Sequence, residues 1–212
     1  PARGPLFNVD AGLLMAGVGR DFLIYQSIST TFNTFPIIAF ALLIRDFGKI
    51  SQKTALFFAA IIFGCALFAV RQEVFSWTKF FALGFNLGGI YFYRKGWVEN
   101  RHNWVAWSFV IFAMGILAHY LTVGIALFFL VHYLIRMISI KIDLSEIVVP
   151  TIVAVLVLTT WFGYCFSVFG LKGVLTANST LGDKFVEMRT RTTGNLISWP
   201  RVFFRNLINS VF

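Results

Sequence analysis

Long apolar runs alternate with short basic turns along almost the whole chain. The first long run is Phe22 to Ile44. At about 1.5 Å of rise per residue, a helix over that run covers a hydrocarbon core of roughly 30 Å. Its first half is polar, with Gln26, Ser27, Ser29, Thr30, Thr31, Asn33 and Thr34. That half is expected to face other helices or a wet cavity, and Pro36 to kink the helix. Further runs cover Thr54 to Val70, Phe80 to Tyr93, Trp104 to Ala118, Tyr120 to Ile135, and Ile147 to Leu171. Trp104 to Ile135 contains no Asp, Glu, Lys or Arg, yet a single helix of that length would be about 48 Å long. A break is therefore expected around Gly115, His119, Tyr120 and Gly124, giving two short helices joined by a tight polar turn. The pattern predicts an all-α fold, a polytopic transmembrane helical bundle of about six crossings with short paired helices.

The pattern divides residues 1–212 into parts of one transmembrane domain. Residues 1–21 read as the end of an external loop with a short amphipathic helix, 22–171 as the bundle, and 172–212 as an external loop. Gly170 just before that loop and Gly173, Gly182 and Gly194 within it, with several threonines, predict irregular chain, and Ser198 to Phe212 predicts an interfacial helix. With no Met at its start and an apolar pattern at its end, the chain is expected to be a piece of a longer protein. Basic residues orient the bundle. Arg45, Lys49, Lys53, Arg94, Lys95, Arg101, Arg136 and Lys141 fall in alternate turns on one side, against Arg71 and Lys79 on the other. The positive-inside bias assigns the first group to the cytoplasm and both ends of the chain to the outside.

Composition agrees with this class: 58% of residues are apolar and 13% charged, with a mean hydropathy of +0.79. A net charge of +9 would point to nucleic acid in a soluble protein. Here the cations sit between apolar runs, where they set topology and meet anionic headgroups, so no nucleic-acid partner is expected. Cys65 and Cys165 lie inside apolar runs without metal spacing and read as small buried hydrophobes. No Walker loop, HExxH or dinucleotide signature is present, which removes support for nucleotide-driven transport and zinc hydrolysis.

Four segments resemble the GT-C superfamily of membrane glycosyltransferases, of the protein mannosyltransferase and aminoarabinose transferase type. Ala2-Arg3-Gly4-Pro5-Leu6-Phe7 is similar to the Arg-x-Pro-Leu segment that closes the family's first external loop. The run from Gln26 ending Ile44-Arg45-Asp46-Phe47-Gly48 resembles the next helix and its cytoplasmic exit. Val74 to Ala82 is similar to a Trp-x-Lys stretch that opens a later helix, and Gly115 to Tyr120 followed by Val123 to Leu134 resembles a short helix, polar turn and return helix. The likeness implies an enzyme of the plasma (inner) membrane that moves a sugar from a polyprenyl-phosphate carrier to an acceptor on the extracytoplasmic side. It implies no identifiable sugar, acceptor or cofactor; a divalent metal is compatible with the family but none is assignable. The family's essential acid is expected upstream of Pro1, so the catalytic candidates within the chain are the supporting acids Glu73 and Asp10.

The topology alone gathers charge on the outer side: Arg3, Asp10, Arg20, Asp21, Arg71, Glu73, Lys79 and His119. Transfer from a lipid phosphate needs a carboxylate to take the acceptor's proton and cations to hold the leaving phosphate. Arg3, Arg71, Lys79, His119 and Tyr120 are the candidates for binding substrate. Most have a plainer reading: Arg71 and Glu73 as a solvated turn, Lys79 as a snorkelling side chain, His119 as a packing residue, and Asp10 as a helix cap or loop residue. A secondary transporter or permease would explain the half-polar first helix and the broken helices. A non-catalytic subunit of a membrane complex would predict no separable activity.

Overall fold

The computed structural model describes residues 6–19, 21–65, 78–120, 122–139 and 144–192. Every element among them is helical: α1 (Leu6–Val18), α2 (Phe22–Asn33), α3 (Phe35–Gly48), α4 (Gln52–Cys65), α5 (Thr78–Val98), α6 (His102–Ala118), α7 (Thr122–Ser139) and α8 (Leu144–Thr192). The fold is all-α, as the pattern predicts.

Local chemistry sets the breaks. Asp21 caps α2 by accepting a hydrogen bond from the Ile24 N–H at 2.8 Å. α2 stops at Asn33, and Pro36, which has no N–H to give, occupies the first turn of α3. The kink expected at Pro36 is thus a change of helix at Thr34. α3 ends where Lys49 turns left-handed (φ 52°) and its N–H reaches the Arg45 carbonyl. His119, in extended conformation, closes α6, and the Thr122 N–H bonds back to the His119 carbonyl at 3.1 Å. The uncharged run therefore breaks where its length requires. One expectation differs: the glycine- and threonine-containing stretch after Lys172, read as loop, stays helical to Thr192 after a break at Gly170 (φ 64°, ψ 166°). Ser198 to Phe212 and the last residues of the Thr54 to Val70 run lie outside the described residues.

α5 is the hub. α6 runs antiparallel along it, Val105 facing Gly96, Phe112 facing Gly89, and Gly115 facing Phe85. α7 turns back along α6, with Phe129 stacked on Phe112 (5.4 Å) and Tyr133 against Phe109 (5.5 Å). On its other side α5 meets α3 in parallel, Phe35 lying on Gly84 and Asp46 reaching Tyr91. α4 returns antiparallel to α3 through Phe40 and Phe63. α8 packs on α6, its Ile147 beside Tyr93, Val105 and Tyr133. The chain therefore alternates between two ends of the bundle, here called the His119 end and the Asp46 end.

Two stretches are long and apolar enough to cross a bilayer, Phe22–Gly48 with 27 residues and Ser145–Gly170 with 26. α4, α6 and α7 are apolar but shorter, at 14, 17 and 18 residues.

The approach of α6 to α5 leaves no room for a side chain at Gly89, where a Cβ would lie 2.5 Å from the Phe112 ring. Gly89→Ala is expected to cost about 1–3 kcal/mol through overpacking. Gly124→Ala, with nothing within 4 Å, is expected to leave stability unchanged or raise it slightly. Thermal unfolding of the purified variants separates the two, and equal melting temperatures would contradict this packing.

Candidate functional site

At the His119 end the helices are drawn together by stacked phenylalanines. Phe7 of α1 packs edge-on against Phe32 of α2 and Phe81 of α5, each at 5.7 Å, while Phe32 stacks on Phe81 at 5.1 Å. Phe85 and Ala118 complete this cluster. Rings paired this way add to the stabilisation from apolar contact. The cluster holds three separately predicted residues at one end. Lys79 stands in the first turn of α5, two residues before Phe81, and is exposed; His119 directly follows Ala118; Asp10 lies one turn after Phe7.

His119 is buried, with 4% of its surface exposed, and its ring lies over that of Tyr120 at 4.6 Å. Tyr120 is itself exposed. The pair presents a phenol outward and keeps the imidazole beneath it. Asp10 is neither a cap nor a loop residue: it sits in the middle of α1, half-buried, and that burial raises its carboxyl pKa above the usual value. It takes up a proton more readily than a solvated carboxylate. Arg3, Arg20, Arg71 and Glu73 lie outside the described residues.

Polar groups also enter the bundle interior. Ser29, Asn33, Asn86 and Thr122 are buried, and among the described residues the Ser29 and Thr122 hydroxyls and the Asn86 side-chain oxygen have no hydrogen-bond partner. Only part of the polar half of α2 turns inward. Ser27, Thr31 and the C-cap Thr34 bond back to α2 carbonyls at 2.7–2.9 Å, which lets Ser27 and Thr31 remain on its outer surface.

The densest charge network lies at the Asp46 end and was not singled out from the sequence. Arg45 pairs with Asp46 at 2.5 Å. The Tyr91 hydroxyl donates to the other Asp46 oxygen at 2.7 Å and accepts from Lys95 at 2.9 Å. Lys95 continues to Glu99 at 3.7 Å, and Glu99 to Arg101 at 3.6 Å. Lys95 and Arg101 both lie over the Trp104 ring, at 5.2 and 5.4 Å. Nearby, the Tyr93 hydroxyl meets His132 Nδ1 at 2.5 Å, and Arg136 lies 5.3 Å over Trp97. The four-residue spacing of Tyr91, Lys95 and Glu99 was the available signal.

Among the described residues, no group of three or more His, Cys, Asp or Glu could hold a metal ion. Cys65 and Cys165 are both free thiols; Cys165 is buried as expected, whereas Cys65 is exposed. Comparison of the chain with protein-family models, with curated proteins and with solved structures finds no match.

Tyr91 bridges two helices through a bond to a charged group, so Tyr91→Phe is expected to cost about 1.5–3 kcal/mol. Tyr120→Phe, which removes an exposed hydroxyl, is expected to change stability by less than about 0.5 kcal/mol. Chemical or thermal unfolding in detergent measures both. A Tyr91→Phe protein as stable as wild type would show that the network does not tie α3 to α5.

Proposed function

We propose that this chain is a multi-pass protein of the plasma (inner) membrane. Its six crossings are α2 with α3, then α4, α5, α6, α7 and α8, and its Asp46 end faces the cytoplasm. Support for membrane residence comes from where the apolar surface lies. Only 6% of the apolar window in Ser145–Gly170 is buried, and 28% of that in Phe22–Gly48. A core helix of a water-soluble protein would hide such a surface. α4 and α7 likewise expose Phe57, Phe58, Phe128, Val131 and Ile138, while Ser29, Asn33 and Asn86 turn inward. Apolar outside with polar inside suits lipid as the solvent. The shorter helices fit a bilayer if it thins locally or if their flanking Trp, Lys and Arg reach to the interface.

The function we infer is glycosyl transfer from a polyprenyl-phosphate sugar to an acceptor at the extracytoplasmic face. The observation that carries it is the convergence of Lys79, the His119–Tyr120 pair and the Asp10 helix at the end of the bundle opposite the basic network. Lys79 would meet the lipid phosphate at the bilayer surface, and Asp10, with its raised pKa, would assist proton transfer as a supporting acid. Arg3, Arg71 and Glu73 belong to the same proposal through the charge that the predicted topology gathers on the outer side. Secondary transport is the second reading, favoured by the Ser29, Asn86 and Thr122 groups inside the bundle, which have no hydrogen-bond partner among the described residues.

In the full-length protein reconstituted in liposomes, Lys79→Ala and His119→Ala are each expected to lower transfer from a polyprenyl-phosphate sugar by about 10-fold or more. Wild-type rates in both variants would sink the assignment. Solute uptake that needs Asn86, with no transfer by the wild-type protein, would replace it with the transport reading.

A further inference from the structure

At the Asp46 end, α3 and α4 part to leave a groove of about 520 Å³ lined by Ile44, Phe47, Gly48, Ile50, Phe58 and Ile62. Each of these residues is apolar. Gly48 keeps the groove open, since the only atoms near a Cβ there would belong to Ile50, at an ordinary 3.8 Å.

Cationic residues adjoin the residues that line this groove. Lys49 is exposed and stands in sequence between the lining residues Gly48 and Ile50, where the chain turns left-handed. The Arg94 guanidinium lies 3.5 Å from the centre of the Phe47 ring, so a positive charge rests against one of the lining side chains. Lys53, in the first turn of α4, is exposed as well. The acids of the two helices that carry Phe47 and Arg94 are already engaged. Asp46 is held by Arg45 and Tyr91, and Glu99 by Lys95 and Arg101. The electrostatic balance beside the groove therefore remains positive.

An apolar slot with a basic rim is complementary to a molecule with a hydrocarbon chain and an anionic head. We propose that this groove is a binding site for an anionic phospholipid, one acyl chain lying between α3 and α4 and the phosphate held by Lys49 and Arg94. The site lies at the end of the bundle opposite Lys79 and His119. It rests on the membrane-spanning reading and is independent of the glycosyl-transfer reading. Arg94 serves two contacts at once, its ring contact with Phe47 fixing the guanidinium where the headgroup arrives. Lipid in the slot would brace α4 against α3 at the end where their packing is open.

The test is a count of lipids retained by the full chain, by native mass spectrometry, after reconstitution with equal amounts of phosphatidylglycerol and phosphatidylcholine. The wild-type protein is expected to retain phosphatidylglycerol preferentially, and each of Lys49→Ala and Arg94→Ala to lower that preference by about 5-fold. Gly48→Leu fills the slot and keeps both charges; it is expected to lose the retained phosphatidylglycerol while its helical circular dichroism is unchanged. Equal retention of the two lipids by wild type, or a wild-type pattern in Gly48→Leu and both charge variants, would overturn the site. Release of the wild-type chain from membranes by alkaline carbonate would overturn the membrane-spanning premise and the site with it.

Discussion

The bundle depends on how closely other helices can approach α5. Phe35 seats on Gly84, Phe112 on Gly89, and Val105 with the Arg101 carbonyl on Gly96, each at a distance that excludes a Cβ. In a bilayer, apolar side chains gain little from leaving lipid for one another, so helix association has to come from close packing and from polar contacts. α5 combines the two. Its glycines admit aromatic knobs from α3 and α6, and its last turns carry Tyr91 and Lys95 into the network with Arg45 and Asp46. The same helix carries Lys79 in its first turn and so links the two ends of the bundle.

The two ends differ in chemistry for a reason rooted in this arrangement. At the His119 end, contact is made by phenylalanine rings, with Phe7, Phe32, Phe81 and Phe85 in one cluster. At the Asp46 end, cations are both paired with acids and laid over Phe47, Trp97 and Trp104. That combination suits a membrane surface, where a ring can sit at the edge of the hydrocarbon and a charge in the headgroups.

Much of the fold was legible in the sequence because helix length and charge placement are one-dimensional properties. The uncharged run from Trp104 to Ile135 was too long for one helix, and it breaks at His119 and Tyr120. Pro36 marked a discontinuity, although the helix change falls at Thr34 ahead of it. Gly173 and Gly182 were misleading, since glycine weakens a helix without forbidding it and α8 continues to Thr192. Of the candidate site, the neighbourhood of Lys79 and His119 followed from alternation of the helices. What sequence could not supply were pairings across helices: Asp46 with Tyr91, Tyr93 with His132, Arg94 with Phe47. These depend on which faces meet, and rotation about a helix axis is decided by packing at positions such as Gly84 and Gly89.

The central claim is that the two ends of the bundle lie on opposite sides of a membrane. Single cysteines at Asn100, in the turn between α5 and α6, and at Tyr120, between α6 and α7, in a background with Cys65 and Cys165 replaced, test it most directly. With a membrane-impermeant maleimide, position 120 is predicted to react from the extracytoplasmic side of sealed vesicles and position 100 only after the membrane is opened. Equal reaction of both positions from the same side would contradict the account.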